Sequence, residues 1–78
     1  MKSQGLQEQF LNAIRKQSVP ATFYLVNGFL MKGVLKAFDD YTLVLESDGA
    51  QKLVFKHAVS TIIPYQTVDL VALNQTGD

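Results

Sequence analysis

The chain has 78 residues, seven basic and seven acidic, with one histidine and no cysteine, so its formal charge is zero. That length allows one domain, and the absence of cysteine excludes disulfides and thiolate metal sites. A single histidine and carboxylates without ligand spacing give no metal centre, which leaves self-association as the device that stabilises so short a chain.

Leu6, Phe10 and Ile14 recur every fourth residue, with Ala13 beside them, the spacing of one face of an amphipathic helix. Glu8 falls near its start, and Arg15 and Lys16 near its end, as the helix dipole prefers. Val19-Pro20 stops it, because the residue before a proline is pushed out of the α region. The pattern predicts a helix over residues 6–16. From Ala21 onward it changes to short β-type runs separated by turn residues, and strands are expected over 21–26, 29–38, 41–46, 51–55 and 59–63. Asn27-Gly28 is a hairpin signal. The second run would place Leu30, Lys32, Val34, Lys36 and Phe38 on one face, and Gly33 in its middle permits a sharp bend. Asp39-Asp40 and Ser47-Asp48-Gly49-Ala50 are turns. Phe10, Ile14, Leu43, Leu45 and Leu53 are expected in the core.

Residues 65–78 contain Val68, Leu70, Val71 and Leu73 without a period and read as a flexible C-terminal tail, leaving residues 1–64 as the domain. Two acids, Asp69 and Asp78, fall in that tail; residues 1–64 therefore hold seven basic residues against five acidic ones, enough when multiplied in an assembly to attract a polyanion. The N-terminus lacks the apolar run of a signal peptide, and no stretch of about 18 apolar residues occurs, so a cytoplasmic protein with no membrane partner is expected. One helix and five short strands make a mainly β fold, a strongly bent antiparallel sheet that is nearly a barrel. Such a sheet leaves two edges, and pairing them head to tail between identical subunits closes a ring.

Leu6-Gln7-Glu8-Gln9-Phe10-Leu11-Asn12, Tyr24-Leu25-Val26-Asn27-Gly28, Phe38-Asp39 and Phe55-Lys56-His57-Ala58-Val59-Ser60-Thr61 follow one another in an order that resembles the Hfq family, the bacterial Sm-like (LSm) RNA chaperones. The likeness runs from Leu6 to Pro64, and its last block is close to the family signature Tyr-Lys-His-Ala-Ile-Ser-Thr. It implies an Sm-like fold, a five-stranded small open barrel assembled as a homohexameric ring. It further implies pairing of small regulatory RNAs with messenger RNAs in post-transcriptional regulation and stress response, with the RNA-degradation machinery as a further partner.

Carried over position by position, the resemblance implies a uridine-binding proximal face at Gln7, Tyr41, Phe55, Lys56 and His57. Their chemistry suits that role: a flat ring stacks on a base, an amide offers donor and acceptor, and a cation with an imidazole serves phosphate and ribose. Phe55 stands where the family usually has tyrosine, so a phenolic hydrogen bond is lost, and Asp40 replaces a frequent amide. The implied adenine-binding distal face comprises Tyr24, Asn27, Gly28, Phe29, Leu30, Met31 and Thr61, with either Gln51 or Lys52 in the fourth strand, depending on where a one-residue length difference is placed. The implied basic rim comprises Asn12, Arg15, Lys16 and Phe38; Ser18 replaces a third basic position, which predicts a weaker rim and a shallower salt dependence. Each of these residues also has a plain structural role open to it: the aromatics as packing, Arg15 and Lys16 as dipole complements, and Asn27-Gly28 as a turn. A ring-forming architectural module is the alternative function. An enzyme is disfavoured, since neither paired carboxylates in an apolar setting nor a glycine-rich phosphate loop is present.

Overall fold

A computed structural model describes residues 5–68. Helix α1 (Leu6–Lys16) is followed by strands β1 (Ala21–Leu25), β2 (Leu30–Phe38), β3 (Thr42–Ser47), β4 (Ala50–Phe55) and β5 (Val59–Pro64), with a single 3-10 turn over Lys56–Ala58. The sheet is antiparallel in the order β4-β3-β2-β1-β5, so β4 and β5 are its two open edges. No helix among the described residues is long and apolar enough to cross a membrane.

The helix occupies the residues that its periodicity marks, but its buried stripe is shifted. Leu11 and Ile14 are buried, with Phe10 and Ala13 packed beside them, whereas Leu6 is 67% exposed. Leu6, the first residue of the helix, is therefore not a core residue. The helix ends in a Schellman motif: the Val19 N–H donates to the Ile14 carbonyl at 3.1 Å and the Ser18 N–H to the Arg15 carbonyl at 3.2 Å. Ser18 takes the left-handed conformation (φ 54°) that this motif usually assigns to glycine. Val19 and Ile14, at the positions where this motif usually makes a hydrophobic contact, are both buried in the core.

Two turns fix the strand registers. Between β1 and β2, the Gly28 N–H donates to the Leu25 carbonyl (2.9 Å) and the Leu25 N–H to the Phe29 carbonyl (2.8 Å), and Gly28 has φ 95°. This is the three-residue hairpin that places a glycine at its left-handed position. Between β3 and β4, Asp48 (φ 55°) and Gly49 (φ 77°) make a two-residue type I′ turn that sets Ser47 opposite Ala50. Counting back from that pair puts Val54 opposite Leu43 and Leu53 opposite Val44. Directly opposed residues share a face, so Val54 enters the core and Leu53, expected there, is turned outward and 60% exposed.

Gly33 marks the sharpest approach in β2. A Cβ at that position would lie 2.4 Å from the Glu46 carbonyl oxygen, closer than any side chain tolerates. The Ser47 hydroxyl donates to the Lys32 carbonyl at 2.7 Å across the same junction. Farther along, the β2–β3 register shifts between Leu35 and Ala37, the mark of a bulge at Lys36. Because of it, Phe38 does not continue the face of Leu30, Lys32 and Val34 as strict alternation predicts. It lies opposite Leu43, on the side of Leu35 and the core, while Lys36 pairs with Glu46 at 3.6 Å.

The core joins Leu11, Ile14 and Val19 to Ala21, Phe23, Leu35, Leu43, Leu45 and Val54. Val68 also belongs to it, only 5% exposed, so the described part of the C-terminal segment reaches back onto the barrel. The remainder of the predicted tail, 69–78, lies outside the described residues.

Candidate nucleic-acid interface

The turn between β2 and β3 is organised by one carboxylate. Asp39 Oδ1 accepts from the Tyr41 N–H (2.9 Å), the Thr42 N–H (2.8 Å) and the Thr42 hydroxyl (2.7 Å). The Thr42 hydroxyl, then these backbone donors, hold the Asp39 carboxyl below its ordinary value, and the Lys56 charge adds to the effect. The turn so fixed presents the Tyr41 ring almost wholly to solvent, 75% exposed. The Tyr41 carbonyl accepts from the Lys56 N–H at 2.8 Å, which ties this turn to the end of β4 and the 3-10 turn that follows.

That second segment sorts its side chains to two sides. Phe55 and His57 stack on each other, with ring centroids 5.7 Å apart and planes inclined by 18°, and both are exposed. Lys56 takes the other side. With Gln7, Phe10, Leu11 and Leu43 it lines a cleft of about 220 Å³ that runs along β5, and its ammonium lies 5.3 Å from the centre of the Phe38 ring. The five residues of the expected proximal set are therefore neighbours within one subunit, in two groups: Gln7 and Lys56 in the cleft, and the Phe55–His57 stack, with Tyr41 held beside both by the backbone. Asp40 is exposed on the adjoining turn.

The expected distal residues gather around β1. Tyr24 stands between Leu30 of β2 and Thr61 of β5, directly opposite each. Asn27 Oδ1 accepts the Phe29 N–H at 3.0 Å, a local turn bond that holds the loop. The same loop presents Phe29, 70% exposed. Met31 departs from this group: it lies opposite the buried Phe23 and packs against the core. In β4, Gln51 is opposite Glu46, itself opposite Val34, which shares its face with Leu30; Lys52 is opposite the buried Leu45. Gln51 is thus the residue on the Tyr24–Leu30 side of the sheet.

On the flank of α1, Arg15 donates from its guanidinium to Asn12 Oδ1 and sits 6.0 Å from the centre of the Phe38 ring. Lys16 is exposed in the last turn of the helix, and Ser18 is committed to the Schellman motif. Sequence reasoning did not anticipate that Lys56 and Arg15 meet at one ring. Phe38 and Lys56 are distant in sequence, and only the register of β2, β3 and β4 brings them together. Among the described residues no group of three or more His, Asp or Glu side chains is placed to hold a metal ion.

The chain is similar to known proteins. The family model described as Hfq protein matches residues 6–69. The RNA-binding protein Hfq of Moorella thermoacetica is 53% identical over 72 residues, covering 91% of this chain and 86% of that protein. The RNA-binding protein Hfq of Desulfitobacterium hafniense is 49% identical over 73 residues, covering 94% and 88%. A crystal structure of the pleiotropic translational regulator Hfq superposes with a TM-score of 0.74 at 37% identity, covering 76% of this chain and 98% of that one.

Proposed function

Because the chain belongs to the Hfq family, we propose that it is an RNA-binding protein acting as an RNA chaperone, with uridine-rich and adenine-rich single strands held on opposite faces of a ring. The observation that carries this reading is the exposure of flat rings beside a cation. Tyr41 and the Phe55–His57 stack face solvent in the single chain, and the Lys56 N–H bond to the Tyr41 carbonyl joins them to the cleft that Lys56 lines with Gln7. Base stacking on an exposed ring is worth roughly 1–3 kcal/mol. Lys56 supplies charge for phosphate, and Gln7 an amide for a base edge.

The distal site comprises Tyr24, Phe29, Leu30 and Thr61, with the loop backbone at Asn27-Gly28 and the Gln51 amide on the same side of the sheet. Asn12, Arg15 and Lys16 form the rim that helps a small regulatory RNA pair with a messenger. Assembly proceeds through the open edges. β4 carries the outward Leu53, and β5 and the residue after it carry Ile63 and Tyr65, all exposed in the single chain. An edge strand with apolar side chains invites pairing, and head-to-tail pairing of β4 with the next subunit's β5 closes a ring, here a homohexamer.

Fluorescence anisotropy with a labelled uridine oligomer and an unlabelled adenine-rich competitor tests the two faces, and the reciprocal pair completes it. Both RNAs bind and neither displaces the other if the reading is right. Mutual displacement rejects separate faces, and a ring without affinity for either RNA favours the architectural alternative.

A further inference from the structure

We propose that Phe38 is a positioning residue: its ring holds Lys56 of the uridine cleft and Arg15 of the α1 flank on one surface, and so sets where both cations meet RNA. The inference rests on the uridine reading of the cleft. Its basis is the pair of ring contacts, Lys56 Nζ at 5.3 Å and the Arg15 guanidinium carbon at 6.0 Å from the same centroid. Both distances fall in the range where an aromatic face attracts a cation.

The ring itself is well placed to act as a fixed surface. Phe38 is half-buried, packs against the core, and is set by the β2 bulge opposite the buried Leu43. The Arg15 head group and the Lys56 backbone are each held by a further bond. Arg15 bonds Asn12 Oδ1 on its own helix, and the Lys56 backbone N–H donates to the Tyr41 carbonyl. A lysine stem loses much rotamer freedom when it is fixed on a ligand, and a surface that already confines it reduces that loss on binding. The register puts Lys56 two residues past the buried Val54, so its stem continues the inward side of β4 and lines the cleft with Gln7 while its ammonium reaches Phe38. Phe38 therefore acts on uridine binding through Lys56, not through a base of its own.

A double-mutant cycle with a uridine hexamer tests this. The energy of an exposed cation–π contact predicts that Phe38→Leu weakens binding about two- to fivefold, and that Phe38→Tyr, which keeps an aromatic face, restores it. In a Lys56→Met background, Phe38→Leu has no further effect, because the group it acts through is gone. Proton NMR reads the contact without RNA. The ε-methylene of Lys56 and the δ-methylene of Arg15 are shifted upfield by the ring in the wild type and in Phe38→Tyr, and return to random-coil positions in Phe38→Leu. Random-coil positions in the wild type overturn the proposal whether or not the leucine variant folds. Additive losses from Phe38→Leu and Lys56→Met overturn it alone, since uridine binding is then real but Phe38 acts independently. A wild-type chain with no uridine affinity overturns this proposal together with the uridine reading.

Discussion

Replacing Tyr41 by alanine is expected to separate RNA contact from fold. The ring is 75% exposed, while the residue's structural duties are carried by its backbone: the N–H donates to Asp39 and the carbonyl accepts from Lys56. Alanine keeps both bonds. Stability should therefore change by no more than about 0.5 kcal/mol, the usual range for a surface substitution, and Tm by a few degrees at most in a domain of this size. Affinity for uridine should fall much further. Loss of one stacked base is worth roughly 1–3 kcal/mol, or about five- to 150-fold per occupied subsite. Anisotropy titrations with a uridine hexamer and an adenine-rich oligomer, beside a thermal melt, measure all three quantities. The adenine-rich titration should be unchanged. Tyr24→Ala supplies the reciprocal control, since Tyr24 stands between Leu30 and Thr61 in the proposed adenine site. An unaltered uridine affinity for Tyr41→Ala, or an equal loss for both RNAs without a change in Tm, would refute the assignment of Tyr41 to a uridine face.

Three further outcomes follow from the fold and the turns. Gly33→Ala should destabilise the chain by about 1–3 kcal/mol or more, the range for overpacking, because the new methyl meets the backbone oxygen of Glu46; denaturant unfolding checks it. Ser18→Gly relieves a left-handed serine at the end of α1, so a net gain of roughly 0.5–1 kcal/mol is expected in the same assay after the entropy of glycine is deducted. The Asp39 carboxyl is held below its ordinary value by Thr42, Tyr41 and Lys56. Its folded-state pKa is depressed, so its contribution is full above the unfolded value near 4 and is lost as pH falls through the lower folded value. Stability and uridine affinity should thus be flat with respect to this group from pH 5 to 8. Asp39→Asn should lower uridine affinity at neutral pH and blunt the acid-side loss of stability, as a pH series of melts and titrations will register.

Much of this architecture was legible in the sequence because local rules and fold agree. The helix bounds follow from a period of 3.6 and from Val19-Pro20, and the first four strands are separated by the turn residues Asn27-Gly28, Asp39-Asp40 and Asp48-Gly49. The misplacements in the sheet have a common physical cause: they depend on register, which a one-residue slip inverts. Leu53 reads as core until the Asp48-Gly49 turn assigns that place to Val54. Phe38 reads as continuous with Leu30 until the bulge at Lys36 turns it inward. In the helix, Leu6 matches the period but is exposed in the first turn, whereas Leu11 is buried. The same dependence shapes the candidate site. Gln7, Tyr41, Phe55, Lys56 and His57 were identifiable by resemblance and are brought together, yet their division into a cleft and a stack comes from the backbone path through the 3-10 turn. Likewise Met31 is drawn to the core by alternation against Phe23, and the register puts Gln51 opposite Glu46 and Lys52 opposite the buried Leu45.

Native mass spectrometry of the full chain with both oligomers tests the central claim most directly. One uridine oligomer and one adenine-rich oligomer, added together in slight excess, should appear bound at once to a single six-subunit ring. Tyr41→Ala should remove the first and leave the second. A ring that exchanges one RNA for the other and never carries both, or a chain that takes up RNA as an isolated subunit, would contradict the account.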